Sequence, residues 1–369
     1  SHYYSYIRRV NTYLESSEKF EVNLDAYKLD PSENAQEIYK TRLADITNWK
    51  KEARFLRAYY HFELIKRYGG IPIMTTALSL DTDFEKIQRN SLQECVDFVV
   101  NECTVLGGEG PNGEEDALPI VYNNDNLGRV TRGAALALKS RLLLYAASDL
   151  WNTESWAQGY SHPELIVLNK KDRKERWAEA AAAAKAVIDL SAQAGYELMS
   201  RYTDLGKVYQ SPELILVRRI NGNTNTFEKL NFPAGFPNGE GRVTPSQNLV
   251  DAYEMTDGSK FDWNNPEHAA NPYANRDPRL ALTVYMNGAS FQNTTIETFE
   301  GGAHKNIKNG TLTGYYLRKF VDSNINLVTN GTSNHPWVIF RISEIYLNYA
   351  EALNESDPGN PDILIYANK

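Results

Sequence analysis

The sequence has few cysteines and no long apolar run. Only two cysteines occur in 369 residues, Cys95 and Cys103, on what the pattern predicts to be one helix. Eight residues separate them by about 12 Å along a helix axis, which is too far for a disulfide bond. Their number leaves the redox compartment open, because a large exported protein can also fold without disulfides. No apolar stretch approaches the ~20 residues of a membrane-spanning helix, and no signal peptide opens the chain.

The motifs of common catalytic and cofactor sites are also missing. The six histidines lie far apart, without an HExxH, CxxC or EF-hand pattern. No GxSxG motif or dinucleotide fingerprint occurs, and the run "GGEGPNG" at 107–113 lacks the Lys-Ser/Thr pair of a phosphate loop. A glycosidase needs two carboxylates facing each other across a cleft, and the sequence singles out no such pair. We therefore expect a protein that is not an enzyme and has no metal or cofactor.

The charge is acidic and dispersed. The chain has 39 basic and 47 acidic residues, a formal net charge of -8. Because the Lys and Arg residues are scattered, the sequence lacks the basic surface of a nucleic-acid-binding protein. Apolar residues make up 42% of the chain, which is enough to bury a substantial core.

Helical periodicity dominates the two ends of the sequence. The motif Ser91-x-x-Glu94 predicts a capping box at one helix start. Phe55, Tyr59 and Phe62 recur on one helix face, which predicts a stripe that packs against another helix. The predicted helices cover residues 3–16, 34–68, 91–106, 131–150, 173–194 and 337–355, with a further start near 361.

Three of these helices share one spacing of apolar and aromatic residues. The aligned sets are Arg54, Tyr59 and Phe62; Ala137, Leu142 and Tyr145; and Arg341, Tyr346 and Tyr349. Each helix precedes a loop and another helix, which is typical of stacked helical hairpins such as tetratricopeptide repeats, although the spacing is not periodic. We expect a mainly α fold with tetratricopeptide-like hairpins as a frame at 1–194 and 337–369. A loop-rich insert with short β-strands is expected at 195–336.

The insert is where we expect a binding site. It is rich in Asn, Gly, Pro and Thr, with strand-like runs such as "ELILVRRI" and "LALTVYM". Loops on a rigid scaffold often carry binding residues. Sugars present an apolar C–H face to aromatic rings and hydroxyls to amides, so mixed aromatic and Asn side chains suit a glycan. The alternative is that these aromatics fix the loops to the frame while the Asn residues form turns.

Seven stretches of the sequence together resemble the SusD/RagB family. They are "EARFLRAYYHFELIKRYGGIPI", "GRVTRGAALALKSRLLLYAASDLWN", "SPELILV", "PSQNLVDAYEMTDG", "NRDPRL" with "NGASF", "GYYLRKF" and "FRISEIYLNYAEALNES". Their order along residues 52–356 is the order expected for that family. Its members are outer-membrane glycan-binding lipoproteins of Bacteroidetes.

The resemblance implies a helical fold of the kind inferred above and a nutrient-binding role without catalysis. Such proteins are lids on a SusC-type TonB-dependent transporter, to which they deliver an oligosaccharide captured at the cell surface. The alternatives are a lid that binds a peptide and a scaffold that binds another protein. The resemblance also implies an outer-membrane location through a lipid anchor. Because the chain begins and ends within helix-like patterns, we expect a fragment trimmed at both ends.

Family ligand residues vary between members, so the candidate residues rest on chemistry alone. Exposed aromatic rings would stack on the sugar, and neighbouring amides would bind its hydroxyl groups. The stacking candidates are Phe232, Phe236 and Trp263; the amide candidates are Asn225, Asn231 and Asn264; Tyr3 and Tyr4 are additional candidates.

Overall fold

The chain forms two compact units. The computed structural model describes residues 2–79, 81–153, 155–168, 171–219 and 224–369. The first, the helical unit, comprises Ser1–Leu198, Pro212–Val217 and Ile339–Lys369. The second, the loop-rich unit, comprises Met199–Ser211 and Arg218–Val338. The boundaries predicted from sequence at 194 and 337 stay a prediction.

The helices of the described residues occur in chain order as follows. The helical unit begins with α1 (His2–Ser16), α2 (Glu18–Val22), α3 (Asp25–Leu29), α4 (Glu33–Tyr68), α5 (Leu92–Leu106), α6 (Arg132–Ala147), α7 (Asp149–Asn152) and α8 (Arg173–Ala194). The loop-rich unit contributes α9 (Thr226–Asn231), α10 (Gln247–Asp251), α11 (Pro266–Ala270) and α12 (Pro278–Thr283). The chain ends with α13 (Ile342–Ser356) and α14 (Asp362–Ala367) of the helical unit.

Six short strands of the described residues form three pairs. They are β1 (Leu214–Arg218), β2 (Val284–Tyr285), β3 (Ser290–Phe291), β4 (Thr294–Thr295), β5 (Tyr316–Leu317) and β6 (Trp337–Arg341). Strand β1 pairs with β6, β2 pairs with β5, and β3 pairs with β4. In the antiparallel β2–β5 pair, Tyr285 lies opposite Tyr316. The fold prediction of helical hairpins with a loop-rich part containing short strands is confirmed.

Local sequence signals set the helix ends of the frame. Ser32 accepts a hydrogen bond from the backbone N–H of Ala35 at the start of α4, and Asp172 accepts one from Glu175 at the start of α8. Helix α4 ends at Gly69, whose φ of 70° favours glycine. A Cβ there would lie 2.2 Å from the carbonyl oxygen of Leu165, so no larger residue fits.

The helices of this unit stack through a continuous apolar core. Helix α8 packs against both α6 and α13, and α4 packs against α1 and α5. Small side chains of α8 such as Ala180 and Ala184 are buried, which lets the neighbouring helices approach closely. Phe55 and Phe62 are buried in the same core, which confirms the predicted stripe on α4. Among the described helices, none combines the length and the apolar composition needed to cross a membrane.

Two local expectations are wrong. Residues 337–341 form strand β6 instead of a helix start, because they pair with β1, more than 100 residues earlier in the sequence. Residues 280–283 belong to helix α12 instead of a strand, because Pro278 occupies its first turn and Asp277 caps it through the N–H of Arg279. The short strand β2 begins only at Val284.

The loop-rich unit has two small cores of its own. One surrounds Phe291 and Tyr316, and the other surrounds Leu280 and Tyr315. The hydroxyl of Tyr316 donates to the carbonyl oxygen of His304 at 2.6 Å, so a buried tyrosine also orders a loop without regular structure. These cores hold in place the loops that carry the site described next.

Candidate functional site

The two phenylalanines predicted as stacking surfaces lie inside the loop-rich unit. Phe232 is 1% exposed and Phe236 is 8% exposed. Both rings meet Phe291 edge to face, at centroid distances of 4.8 and 4.7 Å. The expectation that these rings are exposed is wrong, because their apolar area forms the core that the two-residue strands cannot build alone. A sugar cannot stack on either ring while that core stays closed.

The amide candidates near α9 have structural surroundings as well. Asn231 is buried, and its Nδ2 donates to the carbonyl oxygen of Phe227 at 2.8 Å. Asn225 is half-buried and directly precedes α9. Neither side chain lines the pocket described below. Their role in ligand binding stays a prediction.

The two tyrosine candidates lie on α1 of the helical unit. The hydroxyl of Tyr3 donates to Glu63 Oε2 at 3.2 Å, and that of Tyr4 donates to the carbonyl oxygen of Pro72 at 3.1 Å. Burial raises the pKa of Tyr4 to about 12, so its hydroxyl stays protonated at neutral pH. Both hydroxyls tie α1 to the frame, whereas Trp263 belongs to the loop-rich unit. A role of Tyr3 and Tyr4 in ligand binding stays a prediction.

Trp263 lies on the wall of a pocket in the loop-rich unit. Its side chain is 48% exposed, and that of Phe299 in the same wall is 53% exposed. The pocket has a volume of about 620 Å³, which is within the usual range for small-molecule sites. The lining residues are Gln247, Trp263, Ala270, Asn271, Pro272, Tyr273, Ala274, Asn287, Thr298, Phe299, Thr313, Gly314 and Tyr315. We refer to this site as the Trp263 pocket.

The polar groups of the Trp263 pocket are neutral. Its lining residues contain amides and hydroxyls but no Asp, Glu, Lys or Arg. Two exposed aromatic rings beside neutral hydrogen-bonding groups suit a ligand with an apolar face and many hydroxyl groups. The same residue set contains no carboxylate pair of the kind that a glycosidase uses.

A chain of hydrogen bonds fixes the back of this pocket. Tyr273 donates to the Tyr315 hydroxyl oxygen at 3.3 Å, and Tyr315 donates to Gln247 Oε1 at 2.9 Å. Gln247 Nε2 then donates to Asp251 Oδ1 at 2.8 Å, and the indole N–H of Trp263 donates to the same oxygen at 3.2 Å. Burial and the hydrogen bond to Tyr315 raise the pKa of Tyr273, so the Tyr273 hydroxyl keeps its proton at neutral pH. The indole ring is thereby held in one orientation.

The loop that carries Trp263 is braced from behind. The ring of Phe261 meets Trp263 edge to face at 4.9 Å, and the guanidinium of Arg276 lies 4.1 Å from the centre of the Phe261 ring. Arg276 also donates to the carbonyl oxygens of Val250 and Tyr253, at 2.5 and 2.7 Å. One buried arginine therefore joins the segment before Trp263 to the segment after it.

Asn264 is exposed next to Trp263 but does not line the pocket. Its Nδ2 donates to Asp262 Oδ1 at 3.0 Å, and its backbone N–H donates to the same oxygen. These bonds form a tight turn, in which the Asp side chain accepts from the residue two positions on. Contact of Asn264 with a ligand stays a prediction.

Sequence reasoning selected Trp263 but did not select Phe299, Gln247 or Tyr315 of the same pocket. Phe299 stands in the run "TFEGGAHKN", where glycines follow an aromatic residue, and this local signal could have indicated exposure. Gln247 and Tyr315 lie 68 residues apart and meet only in the folded chain. Among the described residues, no group of three or more His, Cys, Asp or Glu side chains is placed to hold a metal ion.

Comparison with known proteins adds to this geometry. A family model described as "Starch-binding associating with outer membrane" matches residues 1–144, and a model of the SusD family matches residues 212–369. No curated protein matches the chain in sequence.

Solved structures of low sequence identity share the fold. A SusD-like protein from Bacteroides fragilis is 24% identical with a TM-score of 0.71, over 99% of this chain and 65% of its own. A SusD-like carbohydrate-binding protein from the same organism is 22% identical with a TM-score of 0.65, over 85% of this chain and 56% of its own. A third structure, solved with a xylogluco-oligosaccharide, is 19% identical with a TM-score of 0.58, over 99% of this chain and 62% of its own. The chain thus spans about two thirds or less of their lengths.

The stacked hairpins define a tetratricopeptide-like helical protein, which also carries a loop-rich unit with an exposed aromatic pocket. Two SusD-type models match successive parts of the chain, and SusD-like structures share its fold along nearly the whole length. The chain belongs to the SusD-like family.

Proposed function

We propose that this protein binds a neutral glycan at the Trp263 pocket, without catalysis, and delivers it to a SusC-type TonB-dependent transporter. The observation that carries the proposal is the pair of half-exposed rings, Trp263 and Phe299, in one wall with neutral amides and hydroxyls. The family supports a saccharide ligand, since one of its models is described as starch-binding and one similar structure holds a xylogluco-oligosaccharide.

The chemistry of the pocket favours neutral sugars over charged ones. A uronate or sulfate group gains most from a basic side chain, and the lining residues include none. Asp251, which lies behind the wall and holds Trp263 and Gln247, would repel such a group. Stacking and exposed hydrogen bonds leave little free energy after desolvation, so we expect a Kd between micromolar and millimolar, roughly -8 to -4 kcal/mol.

Isothermal titration against neutral polysaccharides of plant, host and microbial origin tests the binding. Trp263→Ala and Phe299→Ala should each weaken binding at least tenfold, because each removes one stacking surface. Trp49→Ala is the matched control, since Trp49 is also exposed but lies on α4 of the helical unit. We expect no release of reducing ends during the titration.

Two results would contradict the proposal. Full affinity in both pocket variants would place the glycan elsewhere, and binding of a peptide without any polysaccharide would support the peptide-lid alternative. Delivery is tested in cells whose own copy carries Trp263→Ala. These cells should take up the bound polysaccharide more slowly than cells with Trp49→Ala, while both variants remain at the outer membrane through the proposed lipid anchor.

A further inference from the structure

A second pocket in the loop-rich unit has the opposite chemistry to the Trp263 pocket. It has a volume of about 410 Å³ and is lined by parts of residues 201–207, 282–285 and 318–324. It shares no lining residue with the Trp263 pocket. Four of its lining residues are basic and two are acidic, although the chain as a whole carries a net charge of -8. We refer to it as the cationic pocket.

Lys207 is the half-buried cation of this pocket. In the part of the chain that the structure describes, no carboxylate lies within ion-pair distance of its Nζ and no acceptor is within hydrogen-bond distance. Burial lowers the pKa of Lys207; the charges of Asp322, Asp204 and Glu228 raise it, and that of Arg318 lowers it. Because Lys207 is half-buried and forms the wall of the pocket, its ammonium can attract an incoming anion.

Two further cations face aromatic rings instead of carboxylates. The Nζ of Lys319 lies 5.1 Å from the Tyr202 ring centre and 5.3 Å from that of Phe320. The guanidinium of Arg318 lies 5.1 Å from the Tyr285 ring centre. Aromatic rings attract a cation without neutralising its charge. Among the described residues neither side chain forms an ion pair, although Arg318 Nη1 donates to the carbonyl oxygen of Ala281 at 2.8 Å.

The acidic residues of the pocket cancel only part of this charge. Asp204 lies 3.7 Å from Arg201 and forms an ion pair with it. Asp322 uses its Oδ1 to accept the backbone N–H of Asn324 in a local turn. Two acidic groups against four basic ones leave an excess of positive charge at the wall.

One residue of the pocket wall, Phe320, has a backbone conformation that residues other than glycine seldom adopt. Phe320 has a φ of 70°, which is rare and strained for a large residue. Its ring covers Gly206, where a Cβ would lie 2.5 Å from Phe320 Cδ1. Because Gly206 has no side chain, the Phe320 ring can lie against the 201–207 segment. Lys319 Nζ lies near both this ring and the ring of Tyr202.

We propose that the cationic pocket binds an acidic monosaccharide unit through its carboxylate or sulfate group. Lys207 and Lys319 supply charge to the oxyanion, while Thr203, Ser323 and Asn324 line the same space and offer hydrogen bonds to ring hydroxyls. The volume suits one sugar ring better than a chain of them. This inference does not depend on glycan binding at the Trp263 pocket.

Titration with four small probes tests the inference: galacturonate, galactose 6-sulfate, galactose and inorganic sulfate. We expect at least one acidic sugar to bind more tightly than galactose and inorganic sulfate, and its affinity to fall with ionic strength. Lys207→Met and Lys319→Met should each weaken that binding at least tenfold. Asp322→Asn should tighten it, because it removes a competing negative charge.

Lys308→Met is the matched control, since Lys308 is exposed in the same unit and outside the pocket. It should leave the affinity unchanged, as should Trp263→Ala, which separates this site from the neutral-glycan site. If Lys207→Met lowers the thermal midpoint of unfolding, the affinity of the Lys319→Met variant alone decides the test. Equal affinity for inorganic sulfate and the acidic sugars would overturn the assignment to a sugar. Absence of binding, or full affinity in both lysine variants, would overturn the site.

Discussion

The fold opposes protonation of His61. It is buried in the helical unit, and its Nε2 accepts a hydrogen bond from the backbone N–H of Met74 at 3.1 Å. Because Nε2 is the acceptor, the proton is on Nδ1, which donates to the carbonyl oxygen of Arg57 at 2.8 Å. Burial lowers the pKa of His61 to about 4; the nearby Arg57 charge lowers it and Glu102 raises it.

This pKa predicts a loss of stability in acid. An unfolded histidine titrates near 6.5, so between pH 6.5 and 4 the unfolded state binds a proton that the folded state excludes. The stabilisation is complete above pH 6.5 and falls as the pH drops towards 4, by about 3 kcal/mol at most.

The measurement is the free energy of unfolding of the helical unit as a function of pH. His61→Gln should lose this part of the pH dependence, whatever its effect on stability at pH 7. His2→Gln is the control, because His2 is exposed at the start of α1. An unchanged slope in His61→Gln would contradict the buried neutral imidazole.

At the scale of elements, the start of α5 is the most complete local signal in the chain. Ser91 Oγ accepts from the backbone N–H of Glu94 at 3.2 Å, and Glu94 Oε2 accepts from the backbone N–H of Ser91 at 2.7 Å. This is the capping box that the sequence predicts, and both hydrogen bonds are present. The buried face of α5, with Val99 and Cys103, packs against α4 and α6.

Removing this cap should weaken the helical unit measurably. Ser91→Ala should cost about 1 kcal/mol, because two backbone donors lose their acceptors or their geometry. In a unit of this size that corresponds to a fall in thermal midpoint of about 2–4 °C. Ser5→Ala, on the exposed side of α1, should change the midpoint by far less. Equal shifts in both variants would show that the cap contributes little.

At the scale of the whole molecule, the two units rest on separate cores. The core of the helical unit contains residues such as Phe55 and Leu142, and that of the loop-rich unit centres on Phe291. Phe291 contacts Phe232, Phe236 and Tyr285 edge to face. The Phe291 ring therefore connects the segments that carry these three aromatic residues.

Phe291→Ala should therefore affect one unit selectively. Truncating a buried phenylalanine costs about 3–5 kcal/mol. We expect glycan binding at the Trp263 pocket to weaken and the loop-rich unit to become sensitive to protease, while the far-ultraviolet helix signal persists. Phe84→Ala, an exposed phenylalanine of the helical unit, is the control. Loss of the helix signal together with binding would contradict separate cores.

The sequence by itself determined the helical frame. Apolar periodicity, the caps at Ser91 and Asp172 and the stop at Gly69 act within a few residues, so their bounds could be predicted nearly to the residue. Strand β6 pairs with β1, which lies far away in the sequence, and here the local pattern predicted a helix instead of a strand.

Only the tertiary structure decided which aromatic side chains of the loop-rich unit are buried and which are exposed. Phe232 and Trp263 look alike in sequence, each an aromatic residue among asparagines, but one fills a core and the other stands in solvent. The Trp263 pocket and the cationic pocket are each assembled from segments tens of residues apart. Whether a side chain is buried depends on contacts between such distant segments, and the local sequence pattern does not predict these contacts.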